Sequence, residues 1–324
     1  MRFRSLSGAI AAVGLAIFWV AALSVSGLAL DQRFTDTDGD MVADTPTDSK
    51  AVIDPPVLIF SYTPVEDPAM YAKVWDSFIK HLEKTTGKRV QFFPVQSNAA
   101  QLEAMRAGRL HVAGFNSGAV PLAVNCAGFV PFTLMASKDG QYGYEMEIIT
   151  FPGSGVTKIE DIKGKKMAFT AQTSNSGFRA PSALLKQTYG LEAGKDYEPV
   201  FSGKHDNSVI GVANKDYPAA AIANEVMFRI IERGVVKKDQ IITIYKSKTY
   251  PTTGYGLVYN LKPELAAKVK EAFFTFPWDG SELQKEFAST TPPMQKFLPI
   301  NYKEHWQSVR ESDEAVGVKY DCKG

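Results

Sequence analysis

A two-lobe α/β protein, each lobe a mainly parallel sheet flanked by helices with a ligand cleft between them, is what this sequence of 324 residues predicts. Three observations carry the expectation. Short apolar, β-rich runs alternate with segments of helical periodicity, the signature of strands joined by crossover helices. The alternation starts again as a second series at Tyr144. Finally, Gln101 to Ser117 is echoed by Ser208 to Asn224, each reading as a helix, a breaker (Gly108 or Asn214), a strand and a polar loop. Lobes that end their strands in polar loops present those loops to each other, and ligands of open α/β sheets bind at the carboxyl ends of strands.

Val57 to Phe60 is the first strand, broken by Ser61-Tyr62-Thr63-Pro64. Met70 to Lys84 places Tyr71, Val74, Trp75, Phe78, Ile79 and Leu82 at helical spacing, and Gly87 closes it. Arg89 to Phe93 is a second strand, Asn98 to Ala107 a helix ended by Gly108, and Leu110 to Ala113 a third strand. The second series runs through the strand Tyr144 to Thr150, a helical turn at Ile159 to Gly164, the strand Lys166 to Phe169 and a helix from Gly177 to Tyr189. Glu198 to Phe201, the helix Asn207 to Ala213, the strand Ala219 to Ala223, the helix Glu225 to Arg233 and the strand Ile241 to Tyr245 follow. Tyr255 to Asn260 reads as a strand returning to the first lobe, with helices at Pro263 to Thr275 and Ser281 to Ala288 behind it. The first lobe is therefore expected over 57–143 plus 256–320, and the second over 144–255.

Two segments of different composition precede the lobes. Arg2 and Arg4 are followed by an uncharged apolar run from Leu6 to Leu30, which reads as an export signal over residues 1–30. Gly27-Leu28-Ala29 offers small residues for cleavage, whereas the length of the run approaches the roughly 20 apolar residues that span a bilayer. A cleaved signal peptide and a retained membrane anchor both stand, and either places the body outside the cytoplasm, in the periplasm. Residues 31–56 carry seven aspartates and little apolar material, so they read as a flexible acidic linker. Within it, Asp36, Asp38, Asp40 and Asp44 are spaced like the acids of calcium loops, with Gly39 for the turn, although the bidentate glutamate that would complete an EF-hand is missing. No other cofactor is expected.

With 36 Lys plus Arg against 35 Asp plus Glu, the chain lacks the basic excess that a nucleic-acid binder needs. Four His and two Cys without paired spacing exclude a structural zinc site. In an oxidising compartment Cys126 and Cys322 are able to bridge; the other reading is a small buried residue and a free tail thiol.

The chemistry concentrates between Phe169 and Phe178, in Thr170-Ala171-Gln172-Thr173-Ser174-Asn175-Ser176-Gly177. A hydroxyl-rich turn at a helix N-terminus is an anion site, because free N–H groups and the positive dipole end converge there. Plain capping by Ser174 or Asn175 explains one such residue and leaves the rest of the run unexplained.

Here the chain resembles the phosphonate and phosphite receptors of ABC importers (PhnD-like), within the type II periplasmic binding proteins. The family's Leu-Lys-Gly-Lys, Ser-Thr-Ser-Gly and Gly-x-His-Asp phrases correspond to Ile162-Lys163-Gly164-Lys165, Ser174-Asn175-Ser176-Gly177 and Gly203-Lys204-His205-Asp206, and the resemblance runs from about Val57 to Trp306. It implies a small phosphorus oxyanion as ligand, a permease in the inner membrane as partner, and a monomer that delivers by closing its lobes. It also implies that Ser174, Asn175 and Ser176 hold the oxygens, in a turn where Thr173 and Gly177 are candidates by their place beside them, and that His205 adds a charge-assisted hydrogen bond. Tyr62, Phe115, Asn116, Tyr144 and Asn224 match positions that line the ligand. The family's acidic position after the Ala-rich strand is Ala223 here, which argues for a ligand without an amine, such as phosphite or methylphosphonate, unless Glu225 substitutes through a two-residue slip.

Other classes compete. Ser176 and His205 as nucleophile and base would make an enzyme, but no Gly-x-Ser-x-Gly elbow is present and no third residue orients the His. Gly153-Ser154-Gly155-Val156-Thr157-Lys158 lacks the Gly-Lys-Ser/Thr ending of a phosphate-binding loop. A membrane-tethered sensor, or a transferrin-like iron receptor using Tyr144, Tyr250 and Tyr255, completes the alternatives.

Overall fold

The computed structural model describes residues 30–320 and Cys322; the expected export signal falls on residues that, Leu30 apart, lie outside the described residues. The chain opens with β1 (Val57–Tyr62), whose neighbours are α1 (Pro68–Val74) and α2 (Asp76–Thr86). The single helix expected at Met70 to Lys84 is thus two helices that meet at the fully buried Trp75. Asp67 caps α1 by accepting from the N–H of Ala69, and Gly87 closes α2 in the left-handed conformation that suits a residue without Cβ. Next come β2 (Arg89–Phe92), α3 (Asn98–Arg106), β3 (Val112–Phe115), α4 (Val120–Ala127) and β4 (Phe129–Ala136).

A crossing at residues 137–143 leads into β5 (Tyr144–Thr150), β6 (Lys166–Phe169) and a π-helical turn, Asn175–Arg179, that runs directly into α5 (Ala180–Gln187). The second lobe continues through β7 (Glu198–Phe201), α6 (His205–Ala213), β8 (Ala219–Ala223), α7 (Asn224–Glu232) and β9 (Ile242–Tyr250). Residues 251–253 cross back to β10 (Gly254–Val258), α8 (Pro263–Phe274), α9 (Glu282–Glu286), β11 (Lys296–Pro299), α10 (Tyr302–His305) and α11 (Gln307–Ala315).

The first sheet has the order β11-β4-β10-β3-β1-β2 and the second β7-β6-β8-β5-β9. Parallel pairing is confined to β2-β1-β3 and β7-β6-β8; β10, β11, β5 and β9 pair antiparallel, so each sheet is mixed rather than mainly parallel. The crossings supply the reason. Strands β3 and β8 end at the cleft, whereas β10 and β5 begin there, and a strand that leaves the cleft must run against one that ends at it: Gly254 pairs with Phe115, and Met146 with Ala223.

An aromatic core built on Phe60, Trp75, Phe78, Tyr255, Phe273 and Phe297 fills the first lobe, and two smaller clusters cover the faces of the second sheet. The tail returns to the first lobe, where Trp306 donates its indole N–H to the carbonyl of Ser117 at 2.9 Å and Cys322 forms a disulfide with Cys126. The segment 31–56, expected as a flexible tether, is instead docked on this lobe. Val42 and Ala43 are buried, Ile53 forms a bridge with Leu261, and the Arg33 guanidinium donates to the Cys126 carbonyl. Few apolar residues suffice when backbone groups and an arginine dock the chain.

Candidate functional site

The carboxyl ends of the strands from both sheets converge on a small, partly open cavity between the lobes. Its wall is contributed by the loop after β1 (Val65), the loop after β3 (Asn116, Ser117), the start of β5 (Tyr144), the turn after β6 (Ser174, Asn175, Ser176), the first residue of α6 (His205), the start of α7 (Ala223, Glu225, Val226) and the return crossing (Thr252, Thr253). Three helical N-termini therefore face one small space, and first-turn N–H groups have no partner within their own helix. The cavity measures about 20 Å³. On the same scale one water needs roughly 10–15 Å³. No lysine or arginine belongs to the wall.

The hydrogen bonds decide which protons are free. The N–H of Ala223 donates to His205 Nδ1 at 3.1 Å, so Nδ1 is an acceptor and Nε2 carries the proton. Burial pulls this imidazole down to about 4, and it stays neutral at ordinary pH. Nε2 lies 3.2 Å from Ser174 Oγ, which also accepts from the N–H of Gly177 at 3.0 Å. A hydroxyl has two acceptor positions and one proton; with both of the former taken, the proton of Ser174 is left to point elsewhere. Gly177 is required by close approach, because a Cβ there would stand 1.9 Å from Thr170 Oγ1.

Across the cavity Asn175 donates through Nδ2 to the Tyr144 hydroxyl at 3.1 Å, and burial pushes that phenol up to about 12. Three wall atoms form no hydrogen bond of good geometry: Asn175 Oδ1, Thr252 Oγ1 and Ser117 Oγ, the last standing beside the Tyr144 hydroxyl. Buried polar atoms are nearly always paired, so three orphans around one space mark a place for a polar ligand.

The structure thus gathers Ser174, Asn175, Ser176, His205, Asn116 and Tyr144 around one cavity. The other sequence candidates stand elsewhere. Tyr62 packs into the aromatic core with Tyr71, Trp75 and Tyr255. Phe115 is fully buried edge-on against Phe129. Thr173 accepts from Asn98 Nδ2 of the opposite lobe at 2.8 Å, and Asn224 spends its Oδ1 on the N–H of Glu145. Gly177 shapes the turn without lining the space. Sequence reasoning missed Ser117, Thr252 and Thr253; the last two lie in a crossing with neither periodicity nor motif. The acid that the sequence allows for through a two-residue slip, Glu225, lines the wall, its carboxyl pushed up by burial. For iron, Tyr255 is unsuitable because it is buried in the first-lobe core.

In the docked N-terminal segment the carboxylates of Asp36, Asp38 and Asp40 lie within 4.8 Å of one another. The fourth acid of that spacing, Asp44, is committed to the N–H of Thr37 at 2.8 Å.

A two-lobe receptor fold closing on a small polar ligand is the class that this geometry defines. Residues 60–306 match the family described as ABC transporter, phosphonate, periplasmic substrate-binding protein, and the chain belongs to it. The phosphate-import protein PhnD of Mycolicibacterium smegmatis is 29% identical over 241 residues, covering 71% of this chain and 75% of that protein. The phosphonates-binding periplasmic protein of Escherichia coli is 23% identical over 62% of this chain, which spans 61% of that protein's length. Among solved structures, a binding protein component of an ABC phosphonate transporter from Pseudomonas aeruginosa shares the fold with a TM-score of 0.71 and 23% identity, over 80% of this chain and 86% of that one. PhnD1 of Prochlorococcus marinus, in complex with methylphosphonate, does so with a TM-score of 0.70 and 16% identity, over 82% of this chain and all of that one (100%). Family membership implies an extracytoplasmic location and an ABC transporter as partner; among the described residues no helix is long and apolar enough to cross a membrane.

Proposed function

We propose that the protein captures a compact phosphorus oxyanion, phosphite, methylphosphonate or phosphate, in its protonated form, closes its lobes around it and presents it to the transporter permease. The observation that carries this reading is the 20 Å³ cavity walled by orphaned neutral donors and acceptors at three helical N-termini. Oxygens that share one central atom spread little further than a single water, so a tetrahedral anion suits the space and an aminoethyl tail does not. Glu225 and Asn175 Oδ1 are acceptors, and they demand a ligand that brings a proton of its own. A phosphorus oxyanion supplies a P–OH near neutral pH, whereas sulfate leaves both acceptors unpaired at a cost of about 1–3 kcal/mol each.

Capture rather than turnover is supported by the tautomer of His205. Its Nε2 proton faces Ser174, so it is unable to accept the serine proton, and no carboxylate orients it. Calorimetric titration of residues 31–324 with phosphite, methylphosphonate, phosphate, sulfate and 2-aminoethylphosphonate tests the reading. Binding of at least one of the first three, at least tenfold tighter than the last two, is expected. Preference for sulfate or for the aminoalkyl compound overturns it.

A further inference from the structure

A second buried polar cluster adjoins the cavity. Glu66, in the loop between β1 and α1, is 3% exposed and Arg229, on α7, is 1% exposed. Arg229 donates through Nε and Nη2 to Glu66 Oε1 at 3.1 and 2.8 Å, and Arg233 pairs with Glu66 Oε2 and Glu286 Oε1. The hydroxyl of Tyr71 donates to Glu66 Oε1 at 2.9 Å, and the Arg229 guanidinium lies over the ring of Phe287 at 5.2 Å. Both arginines belong to the second lobe, while Glu66, Tyr71, Glu286 and Phe287 all belong to the first. The network therefore exists only while the lobes are closed; when they part, each charge returns to water. Desolvation works against its charged form, yet Arg229 and Arg233 together hold Glu66 below its ordinary range.

One atom of this cluster is unspent. Arg229 Nη1 is buried without a hydrogen bond and stands 4.0 Å from Glu225 Oε2, one helical turn back on α7 at the cavity wall. We propose that Arg229 is the positioning residue that couples ligand capture to lobe closure: Glu225 meets the ligand at the cavity wall, and Arg229 behind it closes on Glu66 of the opposite lobe. The inference rests on the capture reading for its ligand, though not for the lock itself. Three carboxylates face two guanidinium groups, and Glu225 is the one without a hydrogen-bonded cation, so a P–OH of the ligand supplies the donor its oxygen lacks. An empty cavity leaves that buried acceptor without a donor, and closure is then less favourable.

The test compares wild type with Glu66→Gln and Arg229→Lys, using methylphosphonate and inorganic phosphate as probes. Affinity and release rate are measured by stopped flow, and lobe opening by small-angle scattering with and without each probe. Glu66 touches no ligand, so Glu66→Gln is expected to weaken every probe that binds by the same factor, about tenfold to a hundredfold, through faster release. It is also expected to enlarge the radius of gyration of the ligand-free protein, with Arg229→Lys intermediate in both respects. In the double variant Glu66→Gln with Glu225→Gln, the combined fold-loss is smaller than the product of the two single losses, as for coupled groups. Wild-type affinity and wild-type radius in Glu66→Gln overturn the lock, as does a fully multiplicative double variant. If neither probe binds the wild type, the capture reading fails while the ligand-free radius still decides the lock. Should Glu66→Gln not fold, Arg233→Gln, at the more exposed edge of the cluster, is expected to shift release rate and radius in the same direction; no shift overturns the proposal.

Discussion

The cavity wall and the Glu66–Arg229 cluster lie side by side, both buried, and are built from opposite chemistry. The wall offers hydroxyls, amides, a neutral imidazole and helical N–H groups, with Glu225 as its one ionisable acid. The cluster is made of full charges paired with one another across the lobes. Arg179, beside the Ser174–Gly177 turn, follows the second pattern: it donates to Asp313 and to the carbonyl of Gly118 and sends nothing into the cavity. The buried charges beside the cavity are paired across the lobes, while the wall, Glu225 apart, offers neutral dipoles. A fixed cation in a dry cavity would hold an anion too firmly for a delivery protein and would carry a large desolvation cost whenever the cavity stood empty.

Placing a charge in the wall breaks the contrast most severely. Ser176→Asp sets a carboxylate a few ångströms from the anion, a repulsion of about 4 kcal/mol at an effective dielectric constant near 20. Loss of measurable binding to phosphite and methylphosphonate, with the melting temperature retained, is the expected calorimetric result. Removing a charge from a paired site has the converse outcome. Asp313→Ala leaves Arg179 buried without its carboxylate and is expected to lower stability by about 3 kcal/mol, read from urea unfolding.

The imidazole gives a pH test. His205 titrates near 4 in the folded protein and has an ordinary value of 6.5 when unfolded, so below pH 6.5 the unfolded chain takes up a proton that the native state refuses. Stability from this site is complete above pH 6.5 and declines as pH falls towards 4, by about 2 kcal/mol at pH 5. His205→Gln should flatten the difference. A cationic His205 would produce the reverse, with affinity rising on acidification. The mildest probe is Ser117→Ala. Removing one orphan hydroxyl is expected to weaken phosphite binding about fivefold, or roughly 1 kcal/mol, and an unchanged affinity would show that this hydroxyl does not face the ligand.

Much of the site is contiguous in the chain and was legible for that reason. Hydroxyls, a glycine and a helix start stand together at Ser174–Gly177, and their physics is local. Tyr62 and Phe115 were misjudged because a position after a strand fixes depth along the sheet but not the direction of the side chain. Their rings turn into the core, and the wall is made by Val65, Asn116 and Ser117 a few residues later. Ala223, the last residue of β8, and Glu225, the second residue of α7, both line the cavity, so the acid stands two residues beyond the position where the resemblance looks for it. The expected disulfide alternative was undecidable in sequence because two thiols so far apart in the chain meet only if the tail folds back, and here Trp306 and α11 bring Cys322 to Cys126.

By itself, then, the sequence determined the two lobes, the order of most strands and helices, and the hydroxyl-rich turn at Ser174–Gly177, because periodicity and helix capping are encoded within a few residues. Only the tertiary structure decided the antiparallel strands at the crossings, the docking of residues 31–56, the orphaned atoms of the wall and the ion pairs from Glu66 to Arg229. Each of those depends on which surfaces meet when distant segments pack, and desolvation, the force that sets their chemistry, does not exist until they do.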